Sequence, residues 1–184
     1  MAAAPDLESV LVESQRLGFL GARPISEVIE HARAFVAAIP TTARTLVDLG
    51  SGGGVPGLVI AQDRPDLQVT LLDRRTKRTD FLDRVVRRLD WSERVSVVAA
   101  DAARFVADHP HEFDVVVARG FGPPELTARY GSGLVAPGGR IVISEPPEGD
   151  RWQAAWLEAN GLVRASAPVP TRQVAILMPA DDDS

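Results

Sequence analysis

The chain reads as a mostly parallel, doubly wound α/β sheet, and three observations carry that reading. From Arg44 onward, short β-favouring runs alternate with stretches of helical periodicity. The first such run, Thr45–Leu49, ends in a cluster of glycines, as a buried parallel strand does before a ligand-binding turn. At the far end, Leu162–Ala165 and Val174–Met178 are two strand-like runs with no helical pattern between them, which predicts an antiparallel closing strand.

The elements follow in order. Pro5 and Asp6 start a helix whose apolar face carries Leu7, Val10, Leu11 and Leu17, and Gly18 is placed to end it. After the turn Gly21–Pro24, residues Ile25, Val28, Ile29, Ala32, Val36 and Ile39 repeat at helical spacing until Pro40. Residues 1–40 are therefore a helical prefix. The strand Thr45–Leu49 leads through the glycines to a helix opened by Pro56. Strands are expected over Leu67–Asp73, Val95–Ala99, Phe113–Ala118 and Arg140–Ser144, and helices over Thr76–Leu89, Ala102–Ala107, Glu125–Leu134 and Trp152–Ala159. The core of the sheet thus spans residues 44–178. Residues 179–184, ending in Asp181, Asp182, Asp183 and Ser184, read as a solvated acidic tail. We expect one domain over residues 1–184.

A chain of 184 residues can bury a continuous core without disulfides or metal. The absence of cysteine removes disulfide scaffolds, thiolate catalysis and Cys-based zinc sites together. No leader pattern and no bilayer-length apolar run is present, so a cytoplasmic protein away from the membrane is expected. The net charge of −5 lacks the overall basic field of a dedicated nucleic-acid binder, so any polyanion contact must be local.

The strongest motif runs from Asp48 to Gly57, with Gly50, Ser51, Gly52 and Val55 between them. Glycines let the backbone turn sharply and approach a ligand closely. The pattern Asp-x-Gly-x-Gly-x-Gly differs from the Gly-x-Gly-x-x-Gly that cradles a pyrophosphate, and it suits a ligand with an ammonium and a ribose but no phosphate. Asp48 at the strand end can meet a cationic or hydroxyl group. Asp73 closes the second strand about 23 residues after Gly50, near the spacing at which an acidic residue reaches ribose hydroxyls. Asp101 either accepts from an adenine amino group or caps the helix that begins at Ala102.

These residues resemble the GidB family of 16S ribosomal RNA guanine-N7 methyltransferases. The resemblance rests on Val55-Pro56-Gly57 after the glycine loop, on Leu71-Leu72-Asp73 followed by Lys77-Arg78 and Phe81-Leu82, and on Arg119 after the fourth strand. A weaker similarity runs from Leu20 through Arg23 to His31. It implies a Rossmann-like class I methyltransferase fold with S-adenosylmethionine as cofactor. It also implies cofactor contacts at Gly50, Val55, the Ala102-Ala103 backbone and Arg119, with Asp73 facing the ribose and no metal. Arg119 is expected to position the reactants and not to act as acid or base. Methyl transfer to a ring nitrogen is an in-line displacement that needs no general base.

Four departures bear on substrate. Ala103 stands where the family usually has an acidic residue, Gly120 where it has alanine, Glu145-Pro146 where it has Lys-Gly, and Ala32-Arg33-Ala34 where it has an Asn/Asp-Ser pair. A lost Lys and a gained Glu at a presumed RNA entrance oppose phosphate binding. Against them stands residues 74–88, where seven basic residues face two acidic ones. The helical arc with Lys77, Arg84, Arg87 and Arg88 is either a solvated face with internal ion pairs or the contact for ribosomal RNA or the small ribosomal subunit. The expected function is methylation of a guanine N7 in 16S ribosomal RNA. A small-molecule or protein acceptor and a cofactor-binding module without turnover are the alternatives.

Among weaker signals, His31, His109 and His111 are too scattered for a metal site. Trp152 and Trp156 are expected to pack on the sheet, and Phe121 either stacks on a target base or closes over the core.

Overall fold

A computed structural model describes residues 6–146, 151–165 and 173–180. Pro5 and the tail residues Asp181, Asp182, Asp183 and Ser184 lie outside the described residues. The helical prefix is α1 (Leu7–Arg16) and α2 (Ile25–Ala38). Then come β1 (Thr45–Leu49), α3 (Gly57–Asp63), β2 (Gln68–Asp73), α4 (Thr76–Arg88), β3 (Val95–Ala99), α5 (Ala102–Asp108), β4 (Phe113–Ala118), α6 (Pro124–Leu134), β5 (Val135–Ser144), α7 (Ala154–Ala159), β6 (Leu162–Ala165) and β7 (Val174–Pro179).

The strands form one sheet in the order β3-β2-β1-β4-β5-β7-β6. The first five are parallel, and β7 runs antiparallel to both β5 and β6. Strand order reverses between β1 and β4, which are held together at their starts by Asp114. Its Oδ2 accepts from the Arg44 and Thr45 amides at 2.7 and 3.0 Å. Alternate residues of each strand enter separate cores. Leu46, Val69, Val115 and Val142 pack with α1 to α4, while Val47, Leu72, Val116 and Ile141 pack with the other face. This is the two-sided burial that makes parallel strands read as continuous apolar runs.

The prefix is part of the first core, with Val10, Leu11 and Phe35 fully buried there. Asp6 caps α1 by accepting from the Ser9 amide at 2.7 Å. Gly18, at φ +73, ends it: the Gly18 amide donates to Gln15 O and the Phe19 amide to Ser14 O, the paired bonds of a left-handed glycine stop. Buried Ser14 then joins α1 to the glycine loop, its Oγ donating to Gly53 O at 2.9 Å.

Most boundaries fall within one residue of the sequence expectation, as at Gln68, Arg88, Asp108 and Pro124, and three differences bear on the fold. Strand β5 begins at Val135 instead of Arg140, running through Pro137-Gly138-Gly139 with a register shift against β4 between Phe113 and Val115. Helix α7 starts at Ala154, leaving Trp152 buried ahead of it. Pro179 belongs to β7 and not to the tail.

Replacing Ser14 with alanine should strand a buried carbonyl at Gly53, costing about 1–2 kcal/mol. Urea denaturation of Ser14→Ala should show a lower midpoint with an unchanged slope, whereas an unmoved midpoint would mean that the α1-to-loop bond contributes nothing.

Candidate functional site

At the carboxyl ends of the strands, beside the β1/β4 reversal where ligands of such sheets bind, lies a cavity of about 430 Å³. Its floor is Gly50. One wall is Leu72, Asp73, Arg74, Arg75 and Arg78; a second is Ala100, Asp101 and Ala102; the third runs from Gly120 through Pro123 to Leu126 and Tyr130. Four elements converge here because each parallel strand ends on the same edge and hands the chain to a helix.

The glycine loop is folded over two carboxylates. Asp48, fully buried, accepts the Gly57 amide on Oδ2 at 3.0 Å. Asp73 Oδ2 accepts the Gly52 amide at 3.0 Å and lies 3.5 Å from the Arg78 guanidinium, while its Oδ1 accepts the Arg75 amide at 2.9 Å. Ser51 donates its amide to Leu72 O and its hydroxyl to Asp48 O. Gly50 sits at φ +70, and a Cβ there would lie 2.7 Å from the Phe121 ring, which covers it. A Cβ at Gly57 would run into Leu71 and Asp48.

The ten residues expected at a cofactor therefore divide. Gly50, Asp73, Asp101 and Ala102 line the cavity. Asp48, Ser51, Gly52 and Val55 are buried outside its lining, where the first three fold the loop. Asp101 caps α5, accepting the Ala103 amide at 2.9 Å, so that amide is spent, and Ala103 is exposed and outside the lining. Arg119 is half-buried and outside the lining. Among the described residues the cavity also gains Leu126 and Tyr130 of α6, which sequence reasoning missed. Their i, i+4 spacing on the helix after β4 was the available signal.

Electrostatics concentrate beneath the loop. Burial pushes the Asp48 carboxyl up to about 7, against the Gly57 amide and the Arg119 charge, which favour ionisation; Asp73 adds to the rise. Asp48 Oδ1 has no hydrogen-bond partner. Burial also lowers the Arg119 guanidinium, with the Asp48 charge opposing that shift and Arg23 adding to it. His31 is held below the usual histidine range by burial and by the charges of Arg119 and Arg23, and its ring packs edge-on against Phe35. The prefix thus brings Arg23 and His31 toward Arg119.

The placement of other singled-out residues follows from their packing. Glu145 does not project toward an entrance: its side chain is 5% exposed, paired with Arg151 and accepting the Trp152 indole at 2.9 Å. The expected arc of Lys77, Arg84, Arg87 and Arg88 is exposed, with Arg87 paired to Asp83 at 3.3 Å and Arg88 to Glu13 at 2.8 Å, while Arg78, outside that arc, turns inward to Asp73. Phe121 closes over Gly50 and meets Tyr130 edge-on at 5.9 Å. His109 pairs with Glu112, and Trp152 and Trp156 pack together on the sheet. No group of three metal-ligating side chains and no helix long and apolar enough to cross a membrane occurs among the described residues.

Comparison with known proteins follows the same lines. Residues 7–149 match the GidB family, described as rRNA small subunit methyltransferase G. Ribosomal RNA small subunit methyltransferase G of Salinispora tropica is 37% identical over 132 residues, 68% of this chain and 54% of its own. The Herminiimonas arsenicoxydans protein of the same name is 32% identical over 158 residues, 82% of this chain and 71% of its own. The chain spans about half the length of the Salinispora relative. Among solved structures, the S-adenosylmethionine-dependent methyltransferase from Thiobacillus denitrificans in complex with S-adenosyl-L-homocysteine matches with a TM-score of 0.61. It is 21% identical, over 88% of this chain and 73% of that one, and shares the fold.

The raised Asp48 group carries a pH signature. Its folded value lies above its unfolded one, so the stability it contributes is complete below about pH 4 and is lost as pH rises through about 7. Asp48→Asn keeps an acceptor for the Gly57 amide and cannot ionise. The melting temperature of the variant minus that of the native protein should grow from pH 4 to 7 and then level off; a difference that is flat with pH would show that Asp48 ionises normally.

Proposed function

The chain belongs to the GidB family, rRNA small subunit methyltransferase G, and from that premise we propose that it is a cytoplasmic enzyme that transfers a methyl group from S-adenosylmethionine to guanine N7 of 16S ribosomal RNA. The observation that carries the cofactor reading is the cavity at the strand-order reversal. It joins a glycine floor that a side chain would fill to two carboxylates, Asp73 and Asp101.

The residues present fit S-adenosylmethionine. Asp73 uses three of its lone-pair sites on Gly52, Arg75 and Arg78 and retains acceptor capacity for ribose hydroxyls. Asp101 caps α5 through Oδ1, which leaves Oδ2 for an amino group such as that of adenine. Beneath the loop, the fully buried Asp48 shapes the cavity floor from outside the lining by holding the Gly57 amide. When bound, the cofactor supplies a methyl group on a sulfonium that leaves as a neutral thioether. This chain's part is then to position the acceptor and exclude water. Phe121, Leu126 and Tyr130 form the apolar wall for that, and Arg119, half-buried outside the lining, is a cation within electrostatic reach of Asp48. Guanine N7 carries its own lone pair, so no side chain need take a proton.

Ribosomal RNA is the acceptor class that family membership supports. Of the residues expected to meet it, Lys77 and Arg84 are exposed and unpaired among the described residues, while Arg87 and Arg88 already hold carboxylates. The inward turn of Glu145 removes one objection to RNA binding, because its charge is neutralised by Arg151.

The test is methyl transfer from labelled S-adenosylmethionine to 30S subunits and free 16S RNA from cells lacking this gene. Native protein should label the RNA, and Gly50→Arg, which fills the cavity floor, should lose at least about 100-fold in rate together with cofactor binding by calorimetry. A native protein that binds the cofactor yet labels no ribosomal RNA would move the search to small-molecule or protein acceptors.

A further inference from the structure

We propose that the turn from β2 into α4 is an RNA-backbone contact, in which Arg74, Arg75 and Lys77 hold the phosphates of a single strand and lead it to the rim of the cavity. This rests on the ribosomal RNA reading above and names the surface that serves it.

A second hollow, of about 510 Å³, lies beside the first. Arg74, Arg75 and Lys77 form one side of it, and the turn that ends α1, Leu17 to Phe19, forms the other. Arg74, Arg75 and Arg78 line both hollows, so the β2–α4 turn is the ridge between them. Whatever lies in the second hollow therefore reaches the rim of the first across that ridge.

The charges on this ridge are unspent. Arg74, Arg75 and Lys77 are exposed and make no ion pair among the described residues. Along the rest of α4 the positive charge is partly neutralised, through Arg78 with Asp73, Arg87 with Asp83 and Arg88 with Glu13. In a protein of net charge −5, three cations without an ion pair within four residues form the local field a polyanion would seek. The opposite wall is apolar, with Leu17 50% exposed. A basic side facing an apolar side suits a nucleic-acid strand, whose phosphates are anionic and whose base faces are not. The position of the ridge also fits the reaction, because the acceptor base must enter the cavity while its flanking phosphates stay outside.

The experiment measures equilibrium binding of free 16S RNA as a function of salt. It compares native protein, the triple Arg74→Ala/Arg75→Ala/Lys77→Ala and an outer-face control, the triple Arg33→Ala/Arg44→Ala/Arg104→Ala at exposed arginines away from both hollows, each first checked for its melting temperature. Three lost phosphate contacts should flatten the log–log salt dependence by about two units and weaken binding at least about 10-fold near 0.1 M salt. The outer-face triple should change the slope by less than about one unit. The charge-preserving set Arg74→Lys/Arg75→Lys/Lys77→Arg should restore the native slope. An unchanged slope in the first triple, or a larger change in the second, overturns the inference while leaving the ribosomal RNA reading in place. Poly-glutamate competing as well as RNA, charge for charge, overturns the assignment of the surface to RNA. Failure of the native protein to bind 16S RNA at all sinks both.

Discussion

Two buried carboxylates hold the glycine loop in shape. The loop has few side chains of its own to pack, so its conformation must be imposed from below. Asp48 takes the amide that opens α3, and Asp73 takes one amide from the loop and another at the threshold of α4. Asp73 is therefore a staple between three elements, joining the end of β2, the turn after β1 and the first residues of α4. The cavity floor exists because these bonds place Gly50 where the sheet edge would otherwise be open. The arrangement has a thermodynamic cost, visible in the rise of the Asp48 carboxyl to about 7, which burial drives and the nearby Asp73 charge augments.

The helical prefix supports the loop from the other side. Through Ser14 it grips the carbonyl of Gly53, and through Arg88 and Glu13 it is tied to α4. The glycine stop of α1 does more than end a helix, because it turns Leu17 and Phe19 toward the basic ridge, with Phe19 packed edge-on against Phe81 of α4. Arg23 and His31 then come within electrostatic reach of Arg119. A segment that looks in sequence like an appendage to the sheet thus supplies one wall of the neighbouring hollow and part of the field around the candidate site.

Much of the fold was legible because its signals are local. Thr45–Leu49, Val95–Ala99 and Phe113–Ala118 are apolar runs bounded by turn residues, and each is a strand with the expected ends. The glycine loop, Asp73 and Asp101 were legible as positions in the fold for the same reason. The features that escaped depend on long-range contacts. Val135 to Gly139 pairs with β4 through an irregular register despite a turn-like Pro-Gly-Gly. Glu145 looked like a surface charge until Arg151 and Trp152 closed on it. Val55 and Ala103 looked like ligand contacts by analogy, but one is buried outside the cavity and the amide of the other is consumed by the Asp101 cap. Tyr130 and Leu126 carry no motif, and they enter the cavity only because α6 packs back across the end of β4.

The covering of Gly50 by Phe121 ties two distant positions into one evolutionary unit. Gly50 is constrained twice, by its left-handed backbone and by a ring that leaves no room for a Cβ. Asparagine, which tolerates such a backbone, would still strike that ring. Any lineage that replaced Gly50 would first have to shrink or relocate Phe121, and a lineage that lost Phe121 would be released from half of what keeps glycine at position 50. Divergence at this site is accordingly expected to proceed by paired changes, with the loop after β4 moving first and the loop after β1 following.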